Sequence, residues 1–334
     1  MISEQPSVNL RPMSIGEMLD RAFTVYLKNA LVLTAALVVV LVPLLILNYL
    51  GSRDLLGFDL SMFQAAVKNP NASPPAPDLN QLMQLYTTSL PFLGLTMLLS
   101  TFALPFANAA VIAGVSRSYL GQRIRFADCY RDALARWPHI LILAVLWIVA
   151  LVLGVVMLEI VFFILAIGAG ALGSLLPSAL DVALAFLLIP AFLWILITSL
   201  QAYLAWALSF AAITLEHVDP VKAFASSFSR VFGRGSYWRS VGLSAAIAGI
   251  GLTVELIVGG AVTALYLWLK LSVGSAPLAL SAFGGLVSAV ITPLSFAIVA
   301  MYYYDVRIRR EGFDLEHLTA MLTRRDPARP ASTA

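Results

Sequence analysis

Cysteine is nearly absent. Cys129 stands alone, which excludes an internal disulfide and any metal cage built from thiolates. Charge is scarce too, at 12% of residues, against 60% apolar residues and a mean hydropathy of +0.90. A soluble domain needs about twice that charged fraction to cover its surface, so the solvent of this chain is lipid and its class is integral membrane protein. Histidine is limited to His139, His217 and His317. No HExxH or comparable spacing is present, so neither a metal nor a cofactor is expected. Glu216-His217-Val218-Asp219 and Asp314-Leu315-Glu316-His317 do bring acids and histidines together. Acids at helix starts, however, are ordinary capping and dipole partners. No nucleophile with an adjacent base is readable, and catalysis needs titratable groups that converge in a protected site. An enzyme is therefore not expected. Glycine-rich phosphate loops need a preceding strand, and the clustered glycines (Gly168, Gly170 and Gly173; Gly259 and Gly260; Gly284 and Gly285) read as helix contacts instead. Nucleic-acid binding has no support beyond a basic face that topology already explains.

What is present is long apolar runs. Roughly 20 residues span the hydrocarbon core, and six runs meet that length: Asn29 to Leu50, Leu90 to Val115, Ile140 to Ile167, Val182 to Ile213, Val241 to Leu269 and Leu278 to Tyr302. The long ones must tilt, kink or project, with Pro190 the expected kink in the fourth. Glu17 and Asp20 precede the first run and no small-residue cleavage site follows it, so the first helix is expected to be retained. Between the first two runs, Gly51 to Ser89 holds Pro70, Pro74, Pro75 and Pro77. This reads as a partly mobile flap with helical flanks at Leu60 to Lys68 and Leu79 to Thr88.

The basic residues fix the expected orientation. Arg11, Arg21 and Lys28 precede the first run. Arg117, Arg123, Arg125, Arg131 and Arg136 lie between the second and third, and Lys222, Arg230, Arg234 and Arg239 between the fourth and fifth. Arg307, Arg309, Arg310, Arg324, Arg325 and Arg329 follow the sixth, so only Arg53, Lys68 and Lys270 fall on the other face. The positive-inside rule then puts both termini in the cytoplasm. The domain reading is a cytoplasmic segment over 1–28, a transmembrane domain over 29–304 and a cytoplasmic tail over 305–334.

A repeat organises these runs. Ser14 to Glu17 is a capping box, and Ile15, Met18, Leu19, Ala22, Phe23 and Tyr26 follow it at helical spacing. The same offsets give Phe126, Cys129, Tyr130, Ala133, Leu134 and Trp137 before the third run. Before the fifth they give Pro220, Ala223, Phe224, Ser227, Phe228 and Val231, with Asp219 as N-cap. The fold class is thus all-α: a polytopic membrane protein with six transmembrane helices in three pseudo-repeats, each pair preceded by a short cytoplasmic amphipathic helix, or elbow. Phe23, Leu134 and Phe228 are expected as equivalent anchors, each gripping the bundle or the headgroup layer. Leu318, Met321 and Leu322 suggest a fourth elbow in the tail. The last run meets its charged elbow through Tyr302, Tyr303 and Tyr304, an aromatic and basic membrane boundary.

Several of these segments together resemble the glycerophosphoryl diester phosphodiesterase membrane-domain family. They are LRPMSIGEMLDRAFTVYLKN at Leu10 to Asn29, Gly121-Gln122-Arg123, Leu215-Glu216 followed by PVKAFASSF at Pro220 to Phe228, YWRSVGL at Tyr237 to Leu243, and YYDVRIRREGFD at Tyr303 to Asp314. The resemblance spans nearly the whole chain. It implies a six-helix bacterial inner-membrane domain. Some members join such a bundle to a soluble phosphodiesterase barrel, for which this chain is expected to have no room. The third elbow departs from the family in carrying Ala225, Ser226 and Ser227 where basic residues are common.

Two sets of residues are candidate sites. Asn48, Glu159 and Glu255 are polar groups inside apolar runs, at similar depths in the outer half, and could face one shared polar cavity. An interfacial position or an interhelical hydrogen bond is the competing reading. Arg21, Arg123, Arg125, Arg239, Arg307, Arg309 and Arg310 are candidate contacts for anionic lipid headgroups or a cytoplasmic protein partner. The expected function is a non-enzymatic membrane scaffold that meets lipids or a partner. The alternative is a transporter or lipid-handling protein with a pathway at Glu159 and Glu255.

Overall fold

The computed structural model describes residues 11–68, 78–173, 177–268 and 276–312. Long apolar stretches in lipid must satisfy their backbone groups internally, and helices do this within one segment. Accordingly the described residues form helices with no strand among them: α1 Ile15–Lys28, α2 Ala30–Lys68, α3 Leu79–Tyr119, α4 Phe126–Leu134, α5 Trp137–Gly173, α6 Pro177–Ala211, α7 Pro220–Phe232, α8 Tyr237–Trp268 and α9 Ala276–Glu311. A π turn, Ala212–Glu216, follows α6. Six of these helices (α2, α3, α5, α6, α8 and α9) are long and apolar enough to cross a membrane. The short amphipathic α1, α4 and α7 precede α2, α5 and α8, so the protein is an all-α polytopic membrane protein with the expected alternation of elbow and span.

The helices outrun the apolar runs. α2 continues to Lys68 and α3 begins at Leu79, so the stretch expected to flank a flap is continuous with the spans. The proline-rich residues 69–77, the proposed tail elbow, His317 and the basic residues after Arg310 lie outside the described residues. Pro43, Pro91, Pro105, Pro190 and Pro293 all sit inside helices. α6 runs through Pro190 as a single helix.

The chain divides into two compact units. One comprises Met1–Arg21, Arg136–Ala246 and Val299–Ala334; the other comprises Ala22–Ala135 and Ile247–Ile298. In the first, the buried core centres on Leu204, Leu208 and Phe210 of α6 and on Tyr302 and Tyr303 of α9. In the second it centres on Leu33 and Leu37 of α2, Ile112 of α3 and Cys129 of α4. Gly114 makes that second core close: a Cβ there would lie 2.8 Å from Cys129 Sγ and 3.0 Å from a methyl of Leu33. The middle of α5, residues 151–160, is exposed on every face although nearly all of it is apolar. An apolar helix with no wet side has lipid as its solvent.

The expected anchors differ in burial: Leu134 is 56% exposed, and Phe23 and Phe228 are half-buried. The positions buried at every elbow lie one turn apart: Met18, Cys129 and Ala223, then Ala22, Ala133 and Ser227, all fully buried. Short side chains let an elbow backbone approach its neighbours, while the large ones lie along the rim of the contact.

Candidate functional site

The end of α9 carries a cluster assembled from three distant segments of the first unit. α6 gives way to its π turn, and His217 then takes a left-handed conformation at φ 62°, reversing the chain ahead of α7. Glu216, the last residue of that turn, accepts a hydrogen bond from the Tyr303 hydroxyl at 2.7 Å and pairs with Arg230 of α7 at 2.7 Å. The Arg230 side chain, only 5% exposed, also donates to Oε1 of Glu311 through Nε and Nη2 at 3.2 and 2.8 Å. Arg307 closes the set by donating to Oε2 of Glu311 at 2.9 Å. Both guanidinium groups lie over the Tyr303 ring, 5.3 and 5.9 Å from its centroid. Burial works against the Arg230 charge, but the Glu311 hydrogen bond and the charges of Glu216 and Glu311 more than offset it, so its pKa lies above the ordinary arginine value.

A second knot in the same unit holds the residues ahead of α1. Asp305 is fully buried and accepts from the Met13 backbone N–H at 2.7 Å, from Arg239 at 2.9 Å and from Arg309 at 3.0 Å. The Met13 carbonyl accepts from Arg309 at 3.1 Å and also from Arg239. Two cations and one peptide thus satisfy a carboxylate that would otherwise be costly to bury. The capping box follows at once, with Ser14 Oγ accepting from the Glu17 N–H at 3.2 Å while the Glu17 carboxylate pairs with Arg11 and Arg21. Arg310 donates to the carbonyls of Ser229 and Arg234, both at 2.9 Å, and so satisfies the C-terminal end of α7. The expected N-cap Asp219 is in the capping position, but its side chain makes no capping hydrogen bond.

In the second unit the elbow is held by its own pair. Arg117 at the end of α3 forms a two-point contact with Asp132 of α4, at 2.7 and 2.9 Å. The Tyr130 hydroxyl donates to the Ala36 carbonyl at 2.5 Å, and Asn29 donates to Ser118 Oγ at 2.7 Å. Burial pushes the Cys129 thiol up to about 11, with Arg117 lowering it only in part. Burial also raises the Tyr130 hydroxyl above its ordinary value.

The sequence-derived residues separate clearly. Arg21, Arg239, Arg307, Arg309 and Arg310 are engaged within the protein by the contacts just described. Arg123 and Arg125 are exposed and have no partner among the described residues. Asn48 is exposed and accepts a long hydrogen bond, 3.5 Å, from Ser52 of its own helix. Glu159 and Glu255 are exposed as well, Glu159 in the first unit and Glu255 with Asn48 in the second. Among the described residues no group of three His, Cys, Asp or Glu side chains could hold a metal ion. Sequence reasoning missed Glu216, Arg230 and Asp305 as a set. The local signals were the i,i+4 pairs Arg307–Glu311 and Asp305–Arg309.

Each carboxylate of the α9 cluster is matched to a guanidinium, and Tyr303 spends its proton on Glu216. No known family model, curated protein or solved structure matches the chain.

Proposed function

We propose that the protein is a non-enzymatic, multi-pass scaffold of a bacterial inner membrane, resembling the glycerophosphoryl diester phosphodiesterase membrane domain, whose elbow helices form a rigid cytoplasmic face that meets lipid headgroups or a protein partner. The observation that carries this reading is the charge-matched ion network of Glu216, Arg230, Arg307 and Glu311 around Tyr303. Ionisable groups gathered at one end of the first unit are spent on one another, as a fixed shape requires and as a reacting or ion-carrying site does not. The exposure of Asn48, Glu159 and Glu255 within their own units favours the scaffold over an internal pathway.

The cytoplasmic assignment of both termini rests on the asymmetry of Lys and Arg along the chain. A cysteine placed at Asn80 should react with an impermeant maleimide from the outer side, and one placed at Gln122 only after the inner membrane is opened. The reverse pattern would overturn the orientation. The function itself is tested with E159Q/E255Q, which keeps volume and hydrogen bonding but removes both charges. The scaffold reading predicts full rescue of whatever defect a deletion strain shows, whereas failure of a normally inserted double variant would favour the pathway.

A further inference from the structure

In the second unit, the basic side chains at the elbow end fall into two groups. Arg117 is matched to Asp132 and Arg131 to Asp128, so both carboxylates of α4 are already used. Lys28, Arg123 and Arg125 are exposed and have no partner among the described residues. They leave the same end of the unit: Asn29, next to Lys28, is bonded to Ser118, five residues ahead of Arg123. Apolar groups border these cations, with Leu31 89% exposed and Phe126 39% exposed. In the first unit Arg230, Arg239, Arg309 and Arg310 are held internally, while the exposed Arg234 has no side-chain partner among the described residues.

We propose that Lys28, Arg123 and Arg125, flanked by Leu31 and Phe126, form a binding surface for the anionic headgroups of the bilayer in which the chain sits. The proposal rests on the scaffold reading and names its ligand. Uncompensated positive charge beside exposed apolar side chains, at the end of α1 and in the connection leading into α4, matches the layered chemistry of a membrane surface: phosphate above, acyl chain below. An acidic protein would match the charges but give Leu31, which opens the apolar α2, no acyl layer to enter.

The test uses the full chain in nanodiscs of mixed phosphatidylcholine and phosphatidylglycerol. The ratio of the two lipids retained on the protein after extraction is read by native mass spectrometry. Wild type should retain phosphatidylglycerol preferentially. K28Q/R123Q/R125Q should lower that preference on the order of a hundredfold, each cation contributing about fivefold. R131Q, equally exposed but paired, should change it little. All three replaced side chains are exposed, so the triple variant should melt with wild type, and each single variant should show its share of the loss. An unchanged preference in the triple variant, or an equal loss in R131Q, would overturn the proposal. Displacement of phosphatidylglycerol by free inorganic phosphate would overturn the bilayer as the source of the anion. Because E159Q/E255Q rescue is read separately, loss of this surface leaves the scaffold reading standing, and loss of that reading is seen without it.

Discussion

Tyr303 and Arg230 meet on one carboxylate oxygen: the Tyr303 hydroxyl donates to Oε1 of Glu216 at 2.7 Å, and Arg230 Nη2 reaches the same oxygen at 2.7 Å. These residues come from α9, α7 and the π turn after α6, so one oxygen joins three elements. Breaking such a buried set at one member is more damaging than never having built it, because the remaining charges stay buried without partners.

Arg230→Met should therefore destabilise the protein by about 3–5 kcal/mol, since it leaves Glu216 partly buried with no paired cation and Glu311 with Arg307 alone. Thermal unfolding in a mild detergent measures this. A variant that melts with wild type would show that the network holds nothing.

The Asp305 knot makes a prediction about the chain ahead of α1. Asp305→Asn keeps an acceptor for the Met13 N–H but drops the charge held by Arg239 and Arg309, whereas Asp305→Leu removes both. Hydrogen exchange at the Met13 amide should rise slightly in the first variant and by at least about tenfold in the second, the loss of a hydrogen bond to a charged group being about 1.5–3 kcal/mol. Equal exchange in wild type and Asp305→Leu would contradict the contact.

Sequence showed the spans plainly because lipid requires long apolar stretches, and the repeat of elbow offsets was legible because helical spacing is local. What it hid was nonlocal. Asp305 reads as one more charge at a membrane boundary, since the amide it holds lies 292 positions away. Glu216 reads as a helix-end acid, because the π turn and left-handed His217 that aim it inward show no local signature. The most buried elbow positions were hidden for a related reason: side-chain size points to Phe23, Leu134 and Phe228, while close packing buries the short residues beside them, Ala22, Ala133 and Ser227. Arg123 and Arg239 look alike in sequence, and only the fold distinguishes the free cation from the one bound to Asp305.

Cys129 gives a pH signature. Its folded-state pKa is raised from 9.0 to about 11, first by burial. The protein therefore favours the protonated thiol, and this contribution is complete below about 9 and lost as pH rises through about 11. Maleimide labelling of the folded protein at neutral pH should be at least about a hundredfold slower than of the detergent-denatured chain, given two pH units of suppressed thiolate. Labelling at the rate of a free thiol would mean that Cys129 is not packed beneath Gly114.

The central claim is that the charges at the end of α9 shape the protein and do not react. Replacing a buried ion network as a whole with matched neutral groups can be nearly neutral for stability, so E216Q/R230M/R307M/E311Q removes all four charges and keeps an acceptor for Tyr303. Measured together with its melting temperature, rescue of a deletion strain by this quadruple variant is the direct test. The account predicts that the variant folds, melts near wild type and restores growth or whatever trait the deletion removes; a variant that folds and inserts normally yet restores nothing would contradict it.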